Sequence, residues 1–155
     1  MYLVGVDIPA GTYRNSDSSD GCYWERLSGF GGSLDEVIAN EFTFARDIVT
    51  IEPSDVGFSA ERCGTWTSDL SPVTNGRTEP FGDGTYIVGV DIAAGTWRNN
   101  DSSGGCYWER LEGFGGRLAD IIENEFTYAT QIVTIQSSDR GFTSKDCGTW
   151  TYVSS

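Results

Sequence analysis

The chain has 155 residues, which is the size of one domain or of two small ones. Its 23 acidic and 10 basic residues give a net charge of −13, which repels nucleic-acid phosphates and anionic lipid headgroups, so we expect no nucleic-acid partner. The sequence holds no histidine, which excludes Ser-His-Asp and Cys-His nucleophilic machinery and histidine-ligated metal sites. No apolar run approaches the roughly 18 residues that span a bilayer, so we expect no membrane insertion.

The first half of the chain predicts short antiparallel strands separated by turns. Glycine, Asn, Asp and Ser punctuate segments rich in β-branched and aromatic residues, which is typical of such strands. In chain order the predicted strands are Tyr2–Ile8, Thr12–Arg14, Cys22–Leu27, Glu41–Phe44 and Ile48–Ile51.

Two local patterns refine this prediction. In the first strand, Val4, Val6 and Ile8 alternate with other residues, which predicts one buried face. Leu34, Val37 and Ile38 lie at helical spacing and are repeated by Leu118, Ile121 and Ile122, so we expect at most one short helix in each half.

The same elements return 84 residues later, without insertion or deletion. Between Tyr2–Thr67 and Tyr86–Thr151, 45 of 66 positions are identical. The repeat predicts an all-β protein of two tandem, small antiparallel β-sandwich or barrel domains, 1–67 and 85–155, joined by a linker at 68–84.

The linker contains Pro72 and Pro80 among Ser, Thr, Asn and Gly, a composition typical of a semi-extended connection. It ends in Phe-Gly-Asp-Gly at 81–84, which leads into the second copy, whereas the first copy begins at Met1 without this lead-in. We expect each copy to close a core of its own. The alternative is one intertwined domain, in which strands of one copy complete the sheet of the other.

The four cysteines predict one disulfide in each copy. Four cysteines allow three pairings, and the repeat selects Cys22 with Cys63 and Cys106 with Cys147, because each half must close by itself. A domain of this size gains about 4 kcal/mol from such a crosslink in the chain-entropy model. A zinc site built from all four cysteines is the alternative, but the close pairs typical of zinc ligands are missing. Disulfides imply an oxidising final location, either extracellular, at the cell surface or secreted, or on a virion.

The aromatic residues predict a core and one candidate binding position. Four tryptophans follow the cysteines closely and are expected to pack on the disulfides: Trp24, Trp66, Trp108 and Trp150. Tyr13 becomes Trp97 in the second copy, within a Gly-Thr-aromatic-Arg motif, and is the aromatic position most expected to be partly exposed. Exposed aromatic rings pack on the C–H faces of sugars, so the candidate binding residues are Tyr13, Arg14, Trp97 and Arg98.

The acidic residues indicate turns and surface rather than catalysis. The oxygen-rich segment 15–21 resembles a calcium loop, but its second copy lacks one carboxylate and the glutamate of an EF-hand is missing, so we expect a solvated turn. Asp7 and Asp91 are expected to accept backbone N–H bonds in turns. Glu25 and Arg26 are neighbours in a strand and should not pair. No pair of carboxylates is distinguished as glycosidase machinery, and we expect no enzyme activity, no cofactor and no metal.

Four motifs together resemble a small repeat module of actinobacterial secreted proteins, lipoproteins and the outer parts of membrane-bound proteins, with similar stretches in actinobacterial phages. They are Val-Gly-Val-Asp-Ile-Pro-Ala-Gly-Thr-Tyr-Arg at 4–14, Cys-Tyr-Trp-Glu-Arg-Leu at 22–27, Ser-Asp-x-Gly-Phe at 54–58 and Cys-Gly-Thr-Trp at 63–66. The resemblance covers both copies and implies an exported or surface-exposed β module without catalytic residues. Ala93 departs from the pattern, since Pro9 stands at that place in the first copy, and we expect no signal peptide or lipobox before Met1.

These observations favour two functions. The first is a non-enzymatic binding or structural module of the actinobacterial cell envelope, with a protein or glycan partner and with avidity from its two copies. The second is a virion accessory protein that decorates a capsid or tail and self-assembles on its lattice. The family resemblance favours the first, whereas the lack of an export signal before Met1 favours the second, since lysis delivers a virion protein to oxidising surroundings.

Overall fold

The computed structural model describes residues 1–155 and contains two compact units built of β-strands. Unit 1 comprises Met1–Leu70 and Phe114–Asp120, and unit 2 comprises Ser71–Gly113 and Ile121–Ser155. Each unit has two antiparallel sheets and one disulfide, which confirms the predicted all-β fold of two similar halves. The domain limits at residues 67 and 85 stay a prediction.

The first repeat contains seven strands in two sheets. They are β1 (Tyr2–Leu3), β2 (Gly11–Asn15), β3 (Cys22–Leu27), β4 (Val37–Thr43), β5 (Ile48–Ile51), β6 (Gly57–Glu61) and β7 (Trp66–Thr67). One sheet has the order β1-β6-β3-β4 and the other has the order β5-β2-β7, so β4 and β5 are edge strands.

The second repeat builds the same two sheets. Its strands are β8 (Gly84–Ile87), β9 (Gly95–Asn99), β10 (Cys106–Leu111), β11 (Ile121–Thr127), β12 (Ile132–Ile135), β13 (Gly141–Lys145) and β14 (Trp150–Ser154). The sheet orders are β11-β10-β13-β8 and β12-β9-β14. The register is preserved as well, because Trp24 faces Glu41 and Trp108 faces Glu125.

The core of each repeat lies between its two sheets, as in a β-sandwich. In the first repeat, β3, β4 and β6 supply Trp24, Ala39 and Phe58, while alternating positions of β5 supply Val49 and Ile51. The second repeat uses the equivalents of these residues except that of Ala39, where Glu123 stands, and adds Phe81, whose ring lies 4.9 Å from that of Trp97. Burying a large apolar side chain such as that of Val49, Ile51 or Phe58 contributes about 1.5–3 kcal/mol relative to leaving it exposed.

Both predicted disulfides are confirmed, and a buried asparagine supports each of them. Cys22 is bonded to Cys63, and Cys106 is bonded to Cys147. The amide of Asn15 donates to the carbonyl oxygen of Cys63 at 3.0 Å, as that of Asn99 does to Cys147, also at 3.0 Å. Backbone groups buried beside the disulfide thereby receive partners.

The prediction of a strand over Tyr2–Ile8 is wrong beyond residue 3. Strand β1 ends at Leu3, and a tight turn follows, in which Gly5 has φ +86° and Val6 is 76% exposed. The predicted role of the aspartates is confirmed, because Asp7 Oδ2 accepts the Leu3 N–H at 2.9 Å and Asp91 Oδ2 accepts that of Ile87 at 2.7 Å. The carboxylate favours a turn where the apolar alternation predicted a strand.

The apolar spacing around Leu34 and Leu118 does not produce an amphipathic helix. Each leucine begins a three-residue 3₁₀ turn, at Leu34–Glu36 and Leu118–Asp120, and is almost fully exposed. The next two apolar residues of each set belong to β4 or β11 instead. A single 3₁₀ turn buries no side chain here, so its apolar residues were a poor guide to a helix.

The tryptophans behave largely as predicted. Trp24, Trp108 and Trp150 are buried in the cores, and Trp66 is partly buried against its core.

Residues 71–84 of the predicted linker belong to unit 2. In the segment 68–84, the Val73 N–H donates to Asp91 Oδ1 at 3.1 Å. Phe81 exchanges backbone hydrogen bonds with Trp150 and is 5% exposed.

Candidate functional site

Tyr13 and Trp97 are not exposed, so the aromatic position expected to face solvent is a core position. Tyr13 is 9% exposed and donates its hydroxyl to the carbonyl oxygen of Pro9 at 2.6 Å. Trp97 is fully buried and donates Nε1 to the carbonyl oxygen of Ala93 at 3.0 Å. Each residue sits on the central strand of a three-stranded sheet, where one face must cover the core.

The two arginines beside them have different environments. Arg14 is buried at 3% exposure, whereas Arg98 is exposed. Neighbouring residues of a strand point to opposite faces, so each arginine faces away from the aromatic residue that precedes it. The structure therefore does not bring Tyr13 and Arg14, or Trp97 and Arg98, into one exposed cluster.

Exposed aromatic pairs occur elsewhere, at the same place in both repeats. The rings of Phe42 and Phe44 lie 5.1 Å apart, and those of Phe126 and Tyr128 lie 5.5 Å apart, each pair edge to face. These four residues are between 52% and 69% exposed. An edge-to-face pair is a favourable arrangement that fixes the rings relative to each other.

A glycine lies directly beneath the rings of each aromatic pair. Gly21 has φ +87°, and a Cβ there would lie 2.8 Å from Cζ of Phe42. Gly105 has φ +91°, and its Cβ would lie 2.7 Å from Cζ of Phe126. A side chain at either position would be strained by the backbone and would displace the ring, so the glycine keeps the ring in place.

A network of polar side chains lies beside each pair on the same sheet face. Tyr23, which faces Phe42 in the register, donates its hydroxyl to Glu25 at 3.0 Å and accepts from the Asn40 amide at 3.2 Å. The second repeat repeats both bonds, since Tyr107 donates to Glu109 at 2.7 Å and accepts from Asn124 at 3.2 Å.

We call this surface the outer aromatic face of each repeat. It comprises, in the first repeat, Tyr23, Glu25, Asn40, Phe42 and Phe44, and in the second, Tyr107, Glu109, Asn124, Phe126 and Tyr128.

The Tyr23 hydroxyl keeps its proton at neutral pH. Its hydrogen bond from Asn40 favours the charged form, but burial, the hydrogen bond to Glu25 and repulsion by Glu25 and Glu61 outweigh it and raise the pKa of Tyr23 above its usual value. Tyr23 is therefore a hydrogen-bond donor that fixes Glu25 on the outer aromatic face.

The oxygen-rich loop after β2 is tied to the protein's own backbone. Asn15 turns inward to Cys63, and Asp17 Oδ1 accepts the Ser19 N–H at 2.9 Å, an Asx-turn bond that lowers the pKa of the Asp17 carboxyl. The equivalent Asp101 accepts both the hydroxyl and the N–H of Ser103, and its pKa is lowered too. This geometry is that of the predicted turn.

The sequence reasoning missed a buried ion pair in each repeat. Arg26 holds Asp55 through two bonds, Nε to Oδ2 at 2.7 Å and Nη2 to Oδ1 at 2.9 Å, and both side chains are 1% exposed. Arg110 holds Asp139 in the same way, and these bonds raise the pKa of Arg110. Both aspartates belong to the repeated Ser-Asp-x-Gly-Phe motif, which was the signal for them. Glu25 and Arg26 do not pair, as predicted.

Comparison with known proteins gives one family. No curated protein and no solved structure is detectably similar to the chain. The model of the Rv1352-like extracellular domain matches residues 1–67 and again residues 78–151, one match for each repeat. No helical segment of the structure has the length and apolarity that crossing a membrane requires. The chain, an extracellular protein of two repeats, therefore belongs to the family of Rv1352-like extracellular domains.

Proposed function

We propose that this protein is a non-enzymatic binding module of an extracellular surface and that each repeat binds a neutral glycan on its outer aromatic face. One observation carries the proposal. An exposed aromatic pair stands beside a fixed Asn-Tyr-Glu network, and this arrangement occurs at the same place in both repeats.

The chemistry of this face suits a sugar ring. A sugar presents an apolar C–H surface, which the exposed rings of Phe42 and Phe44 can cover, and hydroxyl groups at its rim. Asn40 and Glu25 offer amide and carboxylate groups to such hydroxyls, and their bonds to Tyr23 hold them in place before a ligand arrives. Polar groups that are already ordered lose less side-chain entropy on binding, which favours affinity.

The charge of the face favours a neutral ligand over an anionic one. The net charge of the chain is −13, and Glu25 and Glu61 lie on the same sheet face as Tyr23, since Glu25 is two residues along β3 and Glu61 faces Tyr23 in β6. These carboxylates would repel a sulfated or uronic-acid polymer. The lack of histidine supports binding without turnover.

Two equivalent sites in one chain favour a polymeric ligand. A single shallow site binds weakly, but a second site on the same chain binds at a raised effective concentration when the ligand repeats along a surface. The loss of one site should then reduce apparent affinity more than its own contacts suggest.

The test is binding of the full chain to an array of neutral and acidic polysaccharides. We expect binding to a neutral polymer, a loss of about tenfold in apparent affinity with Phe42→Ala or Phe126→Ala alone, and no detectable binding with both changes. Tyr2→Ala is the matched control, because Tyr2 is 43% exposed on the opposite edge strand β1.

Three outcomes would overturn the proposal. The first is that the wild-type chain binds none of the neutral polymers. The second is that the double variant binds as tightly as the wild type. The third is that the purified protein cleaves the polymer on incubation.

A further inference from the structure

The two repeats differ at the opening between the edge strands of their two sheets. In the first repeat this opening, which we call the first edge groove, is lined by Trp24, Arg26, Ala39 and Thr50 of β3, β4 and β5. Its equivalents 84 residues later, Trp108, Arg110, Glu123 and Thr134, line the second edge groove.

A short segment of unit 1 occupies the first edge groove. The Thr50 N–H donates to the carbonyl oxygen of Phe114 at 2.8 Å, and Arg26 Nη1 donates to that of Gly115 at 2.6 Å. A Cβ on Gly116 would lie 2.6 Å from the Trp24 ring and 3.3 Å from Cβ of Ala39. The groove thus recognises the segment Phe114–Gly116 through its backbone carbonyls and through the lack of side chains at Gly115 and Gly116, while the Phe114 side chain is buried at 6% exposure.

The second edge groove is open. Ile132 is 59% exposed, whereas its equivalent Ile48 is 3% exposed, and Glu123 stands where the first repeat has Ala39. The arginine of this groove forms a salt bridge with the glutamate, in which Arg110 Nη1 donates to Glu123 Oε2 at 2.8 Å. The Glu123 side chain is 56% exposed. Glu123 therefore replaces the carbonyl that Gly115 supplies in the first groove.

The segment that would fit the second groove is present in the same chain. Gly-Phe-Gly-Gly occurs at 113–116 and again at 29–32, and Phe30 is 48% exposed. Each segment precedes a 3₁₀ turn whose acidic residue lies against its second glycine. Glu36 accepts the Gly31 N–H at 3.1 Å, and Asp120 Oδ2 lies 2.5 Å from the Cβ position of Gly115. The acidic residue therefore lies in a similar place in both loops. The phenylalanines differ, because the Phe30 ring lies against Gly57 of its own repeat, 2.5 Å from the Cβ position there, and is 48% exposed, whereas Phe114 is 6% exposed.

We infer that the second edge groove binds the Gly29–Gly32 segment of a second copy of this chain, as the first groove binds Phe114–Gly116. Glu123 regulates this contact, because its carboxylate accepts the Arg110 hydrogen bond until a backbone carbonyl of the incoming segment replaces it. The Arg110–Glu123 bond is partly exposed, and such pairs contribute little, so its displacement costs little. The net charge of −13 opposes association, so added salt should strengthen it.

Sedimentation equilibrium of the full chain tests the inference. We expect weak, salt-promoted association of the wild type and at least tenfold tighter association of Glu123→Ala, whose groove resembles the first one. Adding Phe30→Ala to Glu123→Ala should reverse this gain at least tenfold. Adding Leu34→Ala instead is the matched control and should change nothing, because Leu34 is 89% exposed in the same loop.

A second measurement needs no variant. The amide of Thr134 should become more protected from hydrogen exchange as wild-type concentration rises, because it would take the role that the Thr50 amide has in the first groove. A monomeric Glu123→Ala protein, association that is insensitive to Phe30→Ala, or exchange at Thr134 independent of concentration would each overturn the inference. Because these residues lie outside the outer aromatic face, failure here leaves the proposed function intact.

Discussion

Ser144 gives a buried tryptophan a hydrogen-bond partner that its counterpart in the first repeat does not have. Trp150 donates Nε1 to Ser144 Oγ at 2.8 Å. In the first repeat the equivalent residue is Ala60, and Nε1 of Trp66 is buried without a hydrogen-bond partner. A buried donor without a partner costs about 1–3 kcal/mol, so this single difference favours the second repeat.

Ala60→Ser should therefore raise the free energy of unfolding of the first repeat by about 0.5–1.5 kcal/mol, because the new hydroxyl accepts from Trp66. Ser144→Ala should lower that of the second by about 1–3 kcal/mol. Denaturant unfolding followed by tryptophan fluorescence measures both. Ser59→Ala, a change on the opposite face of β6, is the control, and a destabilising Ala60→Ser would contradict the explanation.

At the scale of the elements, the buried ion pair connects the strand β3 to the turn before β6. Asp55 accepts Arg26 from β3 and also the N–H of Glu52 at 3.0 Å, and Asp139 does the same with Arg110 and Gln136. The two pairs differ in their surroundings, because Arg26 is buried while Arg110 also holds the exposed Glu123.

Asp55→Ala should therefore be more destabilising than Asp139→Ala. The first change leaves a buried guanidinium without its carboxylate, which costs about 3–5 kcal/mol. The second leaves Arg110 with Glu123 and water, which limits the loss to about 1–3 kcal/mol. Thermal and denaturant unfolding of the two variants give the comparison. Equal losses of unfolding free energy would show that the aspartate's hydrogen bonds to the turn backbone, and not its pairing with the arginine, account for most of its stabilising effect.

The strands that the sequence predicted well are those with unbroken β-forming residues between turn residues. Ile-Val-Thr-Ile at 48–51 and Cys-Tyr-Trp-Glu-Arg-Leu at 22–27 match β5 and β3 from end to end. Strand β6 was not predicted, because Gly57–Glu61 has one large apolar residue, and its place between β1 and β3 depends on tertiary pairing. Strand β4 begins at Val37, where helical spacing misled the prediction.

The candidate site was harder to predict than the fold. The replacement of Tyr13 by Trp97 in the second copy suggests a binding position, but a core position also tolerates substitution between two large aromatic residues. The sequence predicts a strand at Phe42 and Phe44 but does not mark them as exposed. Their signal was period-two spacing, which places Phe42 on the face of Asn40 beside Tyr23. Exposure itself depends on which edge of the sheet stays uncovered, and no local pattern encodes that.

At the scale of the whole molecule, unit 2 begins before the second copy of the repeat. It starts at Ser71, and Phe81 lies in its core, 4.7 Å from the ring of Tyr86 and 4.9 Å from that of Trp97. The lead-in to the second copy thus contributes to the sandwich as a packed aromatic residue.

An oxidised fragment Ser71–Ser155 should fold alone, with a cooperative melt and its own disulfide. A fragment that starts at Gly82 lacks Phe81 and should be less stable by about 3–5 kcal/mol, the usual cost of removing a buried phenylalanine. Circular dichroism and gel filtration on the two fragments measure this. Failure of the longer fragment to fold, or its obligate dimerisation, would instead support the intertwined architecture.

The close identity of the repeats also has a consequence for how the protein is made. Cys22 and Cys106 lie in the same hexapeptide, so nearby residues cannot tell a half-folded chain which of the two cysteines Cys63 should join. Loop-closure statistics favour the native pairs over an exchanged Cys22–Cys147 bond by only about 1 kcal/mol. Export during synthesis from the N-terminus would supply the missing discrimination, because Cys63 emerges before Cys106 by roughly 2–9 s at ordinary rates of elongation. A chain oxidised as it emerges closes its first repeat before a rival cysteine exists, whereas a chain refolded whole must sort its bonds by exchange.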